Sequence, residues 1–176
     1  MSNRQAFEAL VLPHLDAAYN LARWLLRSDQ AAEDAVQDAS LRAFRYIDSL
    51  RGEDARPWLL GIVRNTCFTA LERARNGPQR VDFDEAEFES ALGEAERATS
   101  DPAAQLQRAR TRLEVDAAIR ALSPPLREVI VLREFEDLEY AQIAKIADVP
   151  IGTVMSRLAR AREKLRSILS QTNLGE

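Results

Sequence analysis

The side chains able to do chemistry in this sequence fall into three clusters, and none has the makeup of a reaction centre. Near the C-terminus, Thr153, Met155, Ser156, Arg157 and Arg160 are followed by Arg162, Lys164 and Arg166, with only Glu163 opposing them. Farther upstream, Arg64 and Asn65 adjoin one another, preceded by Leu50, Arg51 and Arg56 and followed by Arg73 and Arg75. A third group, Glu33, Asp34, Gln37 and Asp38, has the spacing that shares one face of a helix. Guanidinium, amide and hydroxyl groups at helical spacing suit hydrogen bonding and ion pairing to a polyanion. Clustered carboxylates suit a basic partner. The sequence has 1 Cys, Cys67, and 1 His, His14, which excludes an internal disulfide and an ordinary zinc site. The expectation is a binding protein, not an enzyme, with no cofactor and no metal.

Helices must position these groups. With only 6 Gly and 7 Pro, the sequence has few helix breakers, and Ala, Leu, Arg and Glu dominate. Phe7, Leu10, Val11, Leu15, Ala18, Ala22, Leu25 and Leu26 recur at helical spacing, and Pro13 should kink or split that stretch. Ser28 reads as the N-cap of the next helix, with Asp29, Glu33 and Asp34 at its positive end and Val36, Ala43, Phe44 and Ile47 inward. Residues 48–56 read as a loop around Gly52. Pro57 then suits the first turn of a helix that turns Leu59, Ile62, Val63, Cys67 and Ala70 to the core. Periodicity fades over residues 77–104, which are rich in acidic and small side chains, and helices resume near Gln105. Ser123-Pro124-Pro125 ends that helix and starts another, and two more are expected at about 139–147 and 152–169.

The last two form a helix-turn-helix. Ile143 and Ala144 face inward, the turn lies at Asp148-Val149-Pro150, and Val154, Leu158, Ala161 and Leu165 bury the second helix. This leaves Met155, Ser156, Ala159 and Arg160 outward among arginines, the arrangement of a helix that enters the DNA major groove. The formal net charge of −4 does not oppose this reading. Residues 1–76 carry 10 basic and 10 acidic side chains, residues 111–176 the same, and residues 77–110 carry 4 basic against 8 acidic, so the whole excess is central. A local basic face counts for more to a polyanion than the total charge.

Tyr140-x-x-Ile143-Ala144 followed by Pro150-Ile151-Gly152-Thr153-Val154-x-Ser156-Arg157-Leu158-x-Arg160-Ala161-Arg162 resembles the promoter −35 reading domain of bacterial extracytoplasmic-function (ECF) sigma factors. The stretch Ala121 to Val129 resembles the opening of that domain. Two departures stand out: Glu139 where a capping Ser is usual, and Met155 where a basic residue is common. Ala32 to Asp38 with Ala43-Phe44-Arg45 resembles the sigma helix that docks on the polymerase clamp. The segments 48–52 and Pro57-Trp58-Leu59-x-x-Ile62-x-Arg64-Asn65-Thr66 resemble the loop and helix that open and read the −10 element.

The resemblance implies an all-α protein of two small helical domains joined by a flexible acidic linker. Residues 1–76 would dock on polymerase and open the −10 element, 77–110 would link, and 111–176 would read the −35 element. Its implied partners are core RNA polymerase and promoter DNA, with an anti-sigma factor left open. It assigns Thr153, Met155, Ser156, Arg157 and Arg160 to the −35 element. It assigns Leu50, Arg51, Arg56, Arg64 and Asn65 to the −10 element, and Glu33, Asp34, Gln37 and Asp38 to polymerase. Read by its own chemistry, Asn65 fits equally an interior amide bonded to the loop backbone, and Trp58 a core residue or a stacking platform. A free-standing helix-turn-helix repressor or activator remains the alternative. With no apolar run approaching the roughly 20 residues of a membrane span and no signal-peptide layout, a cytoplasmic protein is expected.

Overall fold

The computed structural model describes residues 1–52, 54–77 and 101–173. Among these the only regular structure is helical. Ser2 caps α1 (Asn3–Leu10) by accepting from the Gln5 amide at 3.3 Å, and Gln5 returns a bond to the Ser2 amide. Pro13 splits the first apolar stretch as expected: a 3-10 turn over Leu12–His14 separates α1 from α2 (Leu15–Leu26). The capping hydroxyl of Ser28 receives the Ala31 amide at 3.2 Å and opens α3 (Asp29–Arg45). After a 3-10 turn at Ile47–Ser49, Gly52 takes a left-handed φ of 72°, and Asp54 caps α4 (Ala55–Asn76). The cap at Asp54 starts α4 two residues before Pro57.

The next helix, α5 (Pro102–Arg120), begins earlier than Gln105, so residues 102–110 are helical although the sequence assigns them to the linker. The remainder of that segment, 78–100, lies outside the described residues. Ser123 and Pro124 open the short α6 (Pro124–Ile130), which widens into a π-helical turn at Val131–Phe135. Then come α7 (Tyr140–Ala147) and α8 (Ile151–Asn173).

α2, α3 and α4 pack on one another, and α8 packs on α5, α6 and α7. On α3 the buried line is Ala32, Ala35, Ala39 and Ala43, small enough to bring its backbone close to larger groups such as Leu21, Trp24, Leu25, Leu59, Leu60 and Val63. Phe44, expected inward, is 44% exposed and meets Phe7 edge-on, because alanine has taken the inner stripe. The two halves share one apolar core that runs on through Val129, Val131, Ile143, Val154 and Leu158. Trp24 stacks on Phe135 with ring centroids 5.5 Å apart, a core anchor that the sequence reading passed over.

The joint between halves is centred on Arg127, which is 3% exposed. Its guanidinium donates to the carbonyls of Trp24 (3.0 Å) and Leu25 (3.3 Å) at the end of α2. It also donates to Ile119 (3.4 Å), Arg120 (3.1 Å) and Leu122 (2.6 Å) at the end of α5. Two helix C-termini, each rich in carbonyls without intrahelical donors, thus share one cation. Burial, and then the neighbouring Arg27, pull its pKa down to about 10, so it stays charged at neutral pH. Arg127→Met is expected to destabilise the chain by roughly 3 kcal/mol, since dry carbonyls lose their donors. Arg127→Lys should recover only part of that loss, lacking the planar fork. Urea unfolding followed by circular dichroism measures both.

Candidate nucleic-acid interface

The helix-turn-helix is built as its sequence implied. Glu139, in place of the usual Ser, takes the N-cap position of α7 in extended backbone, and its amide donates to Gln142 Oε1 at 3.0 Å. Asp148 ends α7 in the left-handed region (φ 54°), and the Val149 amide donates back to the Ala144 carbonyl at 3.1 Å. Ile143 and Ala144 are buried against Val154 and Leu158 of α8. Met155, Ser156, Ala159 and Arg160 lie outward and exposed, with Thr153 and Arg157 half-buried beside them. The Ser156 hydroxyl donates to the Thr153 carbonyl at 3.1 Å, and Arg160 Nε reaches the Ser156 carbonyl at 3.4 Å. Arg162 is drawn into an ion pair with Glu134 at 3.1 Å, a partner too distant in sequence for charge counting to detect.

On α3, Glu33, Asp34, Gln37 and Asp38 are exposed together. Gln30 donates to Asp34 at 3.1 Å, and Asp38 pairs with Arg42 at 3.2 Å, both along the helix surface. Leu41 continues this face at 66% exposure, an apolar member the sequence reading did not single out. Its signal was there: it stands three and four residues after Asp38 and Gln37.

The loop and α4 divide. Arg51 and Asn65 are exposed, and Leu50 leans on the core. Asn65 is therefore no interior amide; its Oδ1 accepts from Arg64 at 3.4 Å. Trp58 is half-buried, lining a cleft of about 350 Å³ between α4 and α7 with Gly61, Gln142, Lys145 and Ile146. Arg64 lies over the Phe68 ring at 4.0 Å and bonds Glu128 Oε1 at 2.6 Å. Arg56 bonds the Glu136 carboxylate at 2.8 Å and also the Glu136 carbonyl. Two cations assigned to the −10 element are thus held by carboxylates from the other half of the chain.

Cys67 is fully buried, and burial, then Glu128, push its thiol up to about 12, so no thiolate nucleophile forms at neutral pH. Among the described residues no His/Cys/Asp/Glu cluster could hold a metal ion.

Residues 10–77 match the sigma-70 region 2 family, and residues 112–165 match sigma-70 region 4. The chain is 36% identical to the ECF RNA polymerase sigma-E factor of Escherichia coli K12 over 166 residues, covering 93% of this chain and 86% of that one. This chain is an ECF sigma factor. The RNA polymerase sigma-H factor of Pseudomonas aeruginosa is 35% identical over 174 residues, 95% of this chain and 88% of that one. Among solved structures, a sigma factor in complex with the anti-sigma factor NepR from Bartonella quintana superimposes with a TM-score of 0.70 at 28% identity, covering 93% of this chain and 96% of that one. CnrH, solved with the cytosolic domain of CnrY, shares the fold at 24% identity and a TM-score of 0.65. Like its family, this sigma factor directs RNA polymerase in transcription initiation. A free-standing repressor would not carry region 2, so that alternative falls.

Ala144 sets how closely α8 approaches α7. Ala144→Leu in this ECF sigma factor is expected to cost about 1–3 kcal/mol by overpacking. A thermal melt checks it, with Ala144→Gly as the comparison that adds no volume.

Proposed function

We propose that the three surfaces divide promoter recognition among them. The exposed face of α3, Glu33, Asp34, Gln37 and Asp38 with Leu41, docks on core polymerase. Leu50, Arg51, Arg56, Arg64 and Asn65 engage and open the −10 element. Thr153, Met155, Ser156, Arg157 and Arg160 meet the −35 element. The corresponding units are residues 1–76 and 111–176, with 77–110 between them. The polymerase supplies the catalysis, and the chain itself is no enzyme. It acts in the cytoplasm, where polymerase and promoter are. An anti-sigma factor as a further partner follows from the NepR-bound relative.

The observation that carries this reading is the pairing of an exposed acidic helix face in region 2 with an arginine-rich recognition helix in region 4. The acidic side chains of α3 repel mildly at close spacing, so the fold gains little from them. Charge complementarity with a basic partner gives them a purpose. In vitro transcription with core polymerase on a genomic promoter library tests the whole reading.

Asp34→Lys with Asp38→Lys is expected to abolish capture of core polymerase while leaving the helical circular dichroism unchanged. Normal capture by that variant would remove α3 from the polymerase interface.

Arg160→Ala is expected to cost roughly 1–3 kcal/mol of promoter binding and to relax preference at one −35 position. Promoter-variant binding assays read this out; equal weakening on every sequence would make Arg160 a phosphate contact instead.

A further inference from the structure

Two large apolar side chains stand on the outer side of the recognition helix: Ile151, 43% exposed, and Met155, 51% exposed. Ala159, also exposed, continues the row at the next interval of four. Residues four apart on a helix share a face, so the three form a stripe about 12 Å long. The inward side of α8 is a different row, Val154, Leu158 and Ala161.

The surroundings of the stripe decide what can cover it. Arg160, Lys164 and Arg166 are exposed on the same helix, and Glu163 is the one acid between Ile151 and Arg166. A basic helix suits a polyanion, and in the major groove of a duplex the apolar group within reach is the C5-methyl of thymine. Gly152, next to Ile151, carries no side chain, and a Cβ there would meet no atom within 4 Å. Base edges can therefore approach the start of α8 closely. The polar groups of this face are partly committed to the helix. The Ser156 hydroxyl donates to the Thr153 carbonyl, and Arg160 Nε to the Ser156 carbonyl. The terminal nitrogens of Arg160 suit guanine, but a guanidinium does not read a methyl group.

We propose that Met155, flanked by Ile151 and Ala159, selects thymine in the −35 element by packing on its C5-methyl group. This inference rests on the assignment of α8 to the −35 element and adds Ile151 and Ala159 to it. A methionine side chain is unbranched and polarizable, so it moulds to a small apolar partner. The basic residue usual at this position would seek guanine or phosphate instead. The exchange to Met155 thus alters which base is preferred, while Arg160 and its basic neighbours still draw the helix to DNA.

The test uses holoenzyme assembled from core polymerase and the full chain. A promoter recovered by transcription of the genomic library, its −35 element then randomised, gives the preferred sequence. Each thymine of that element is replaced by deoxyuridine, which keeps the pairing edge and loses only the methyl group. The expected result is a thymine at one position or more, and about fourfold weaker binding when the one under Met155 becomes uracil. Met155→Ala should bind the thymine and uracil duplexes equally, and Met155→Leu should restore the preference. Uracil placed in the spacer outside the element controls for altered duplex stiffness and should change nothing.

Equal binding of thymine and uracil duplexes by the parent chain overturns the proposal. So does a preferred element without thymine, an equal loss from uracil in the spacer, or discrimination that survives Met155→Ala. A randomised element that returns no preferred sequence, with Arg160→Ala binding as tightly as the parent chain, removes the reading of α8 itself and the proposal with it.

Discussion

A single buried guanidinium, that of Arg127, ties together the carbonyl-rich ends of two helices. Helices α2 and α5 both finish inside the protein, where carbonyls without donors are costly. Arg127 donates to five of these carbonyls and brings a full positive charge to two negative helix ends. Among the described residues its hydrogen bonds go to carbonyls, whose aligned dipoles offset the charge. The position of α6 under α2, the stacking of Trp24 on Phe135, and the approach of Glu128 to Arg64 all follow from where this residue is anchored.

Around that anchor, large and small residues are segregated. The α3 helix turns a line of alanines inward and so can lie close to α2 and α4, which supply the bulk. Because the inner stripe of α3 is narrow, most of its circumference faces outward, and its acidic face with Leu41 is free for a partner. In the second half, the small Ala144 and the left-handed Asp148 set the angle at which α8 leaves α7. A tight turn and a small contact residue keep the exposed side of α8 rigidly presented, which a helix reading a groove requires. Rigid scaffold and adaptable exposed side chains are therefore separated in space throughout.

The charged groups show why net charge is a weak guide to a molecule like this one. Acidic and basic side chains are nearly balanced in each half, yet the balance is not local. Some arginines pair with carboxylates far away in sequence, as Arg64 does with Glu128 and Arg162 with Glu134, while Arg51 and Arg160 remain exposed. What a polyanion meets is set by this distribution.

By itself the sequence determined the helices, their caps and breaks at Pro13, Ser28 and Ser123, the helix-turn-helix, and the family. These depend on neighbours within a turn or two, and periodicity and capping chemistry are local properties that a sequence displays directly. The start of α5 at Pro102 was missed because a polar, weakly amphipathic helix carries little periodic signal. Only the tertiary structure decided which arginines are exposed, because Arg56, Arg64 and Arg127 find partners 80, 64 and up to 103 residues away. It likewise turned Phe44 outward and Trp24 inward, since the choice between two faces of a helix depends on what packs against each. Contacts between distant segments are absent from any local pattern, and in this protein those contacts pair Arg56 and Arg64 with carboxylates of the other half.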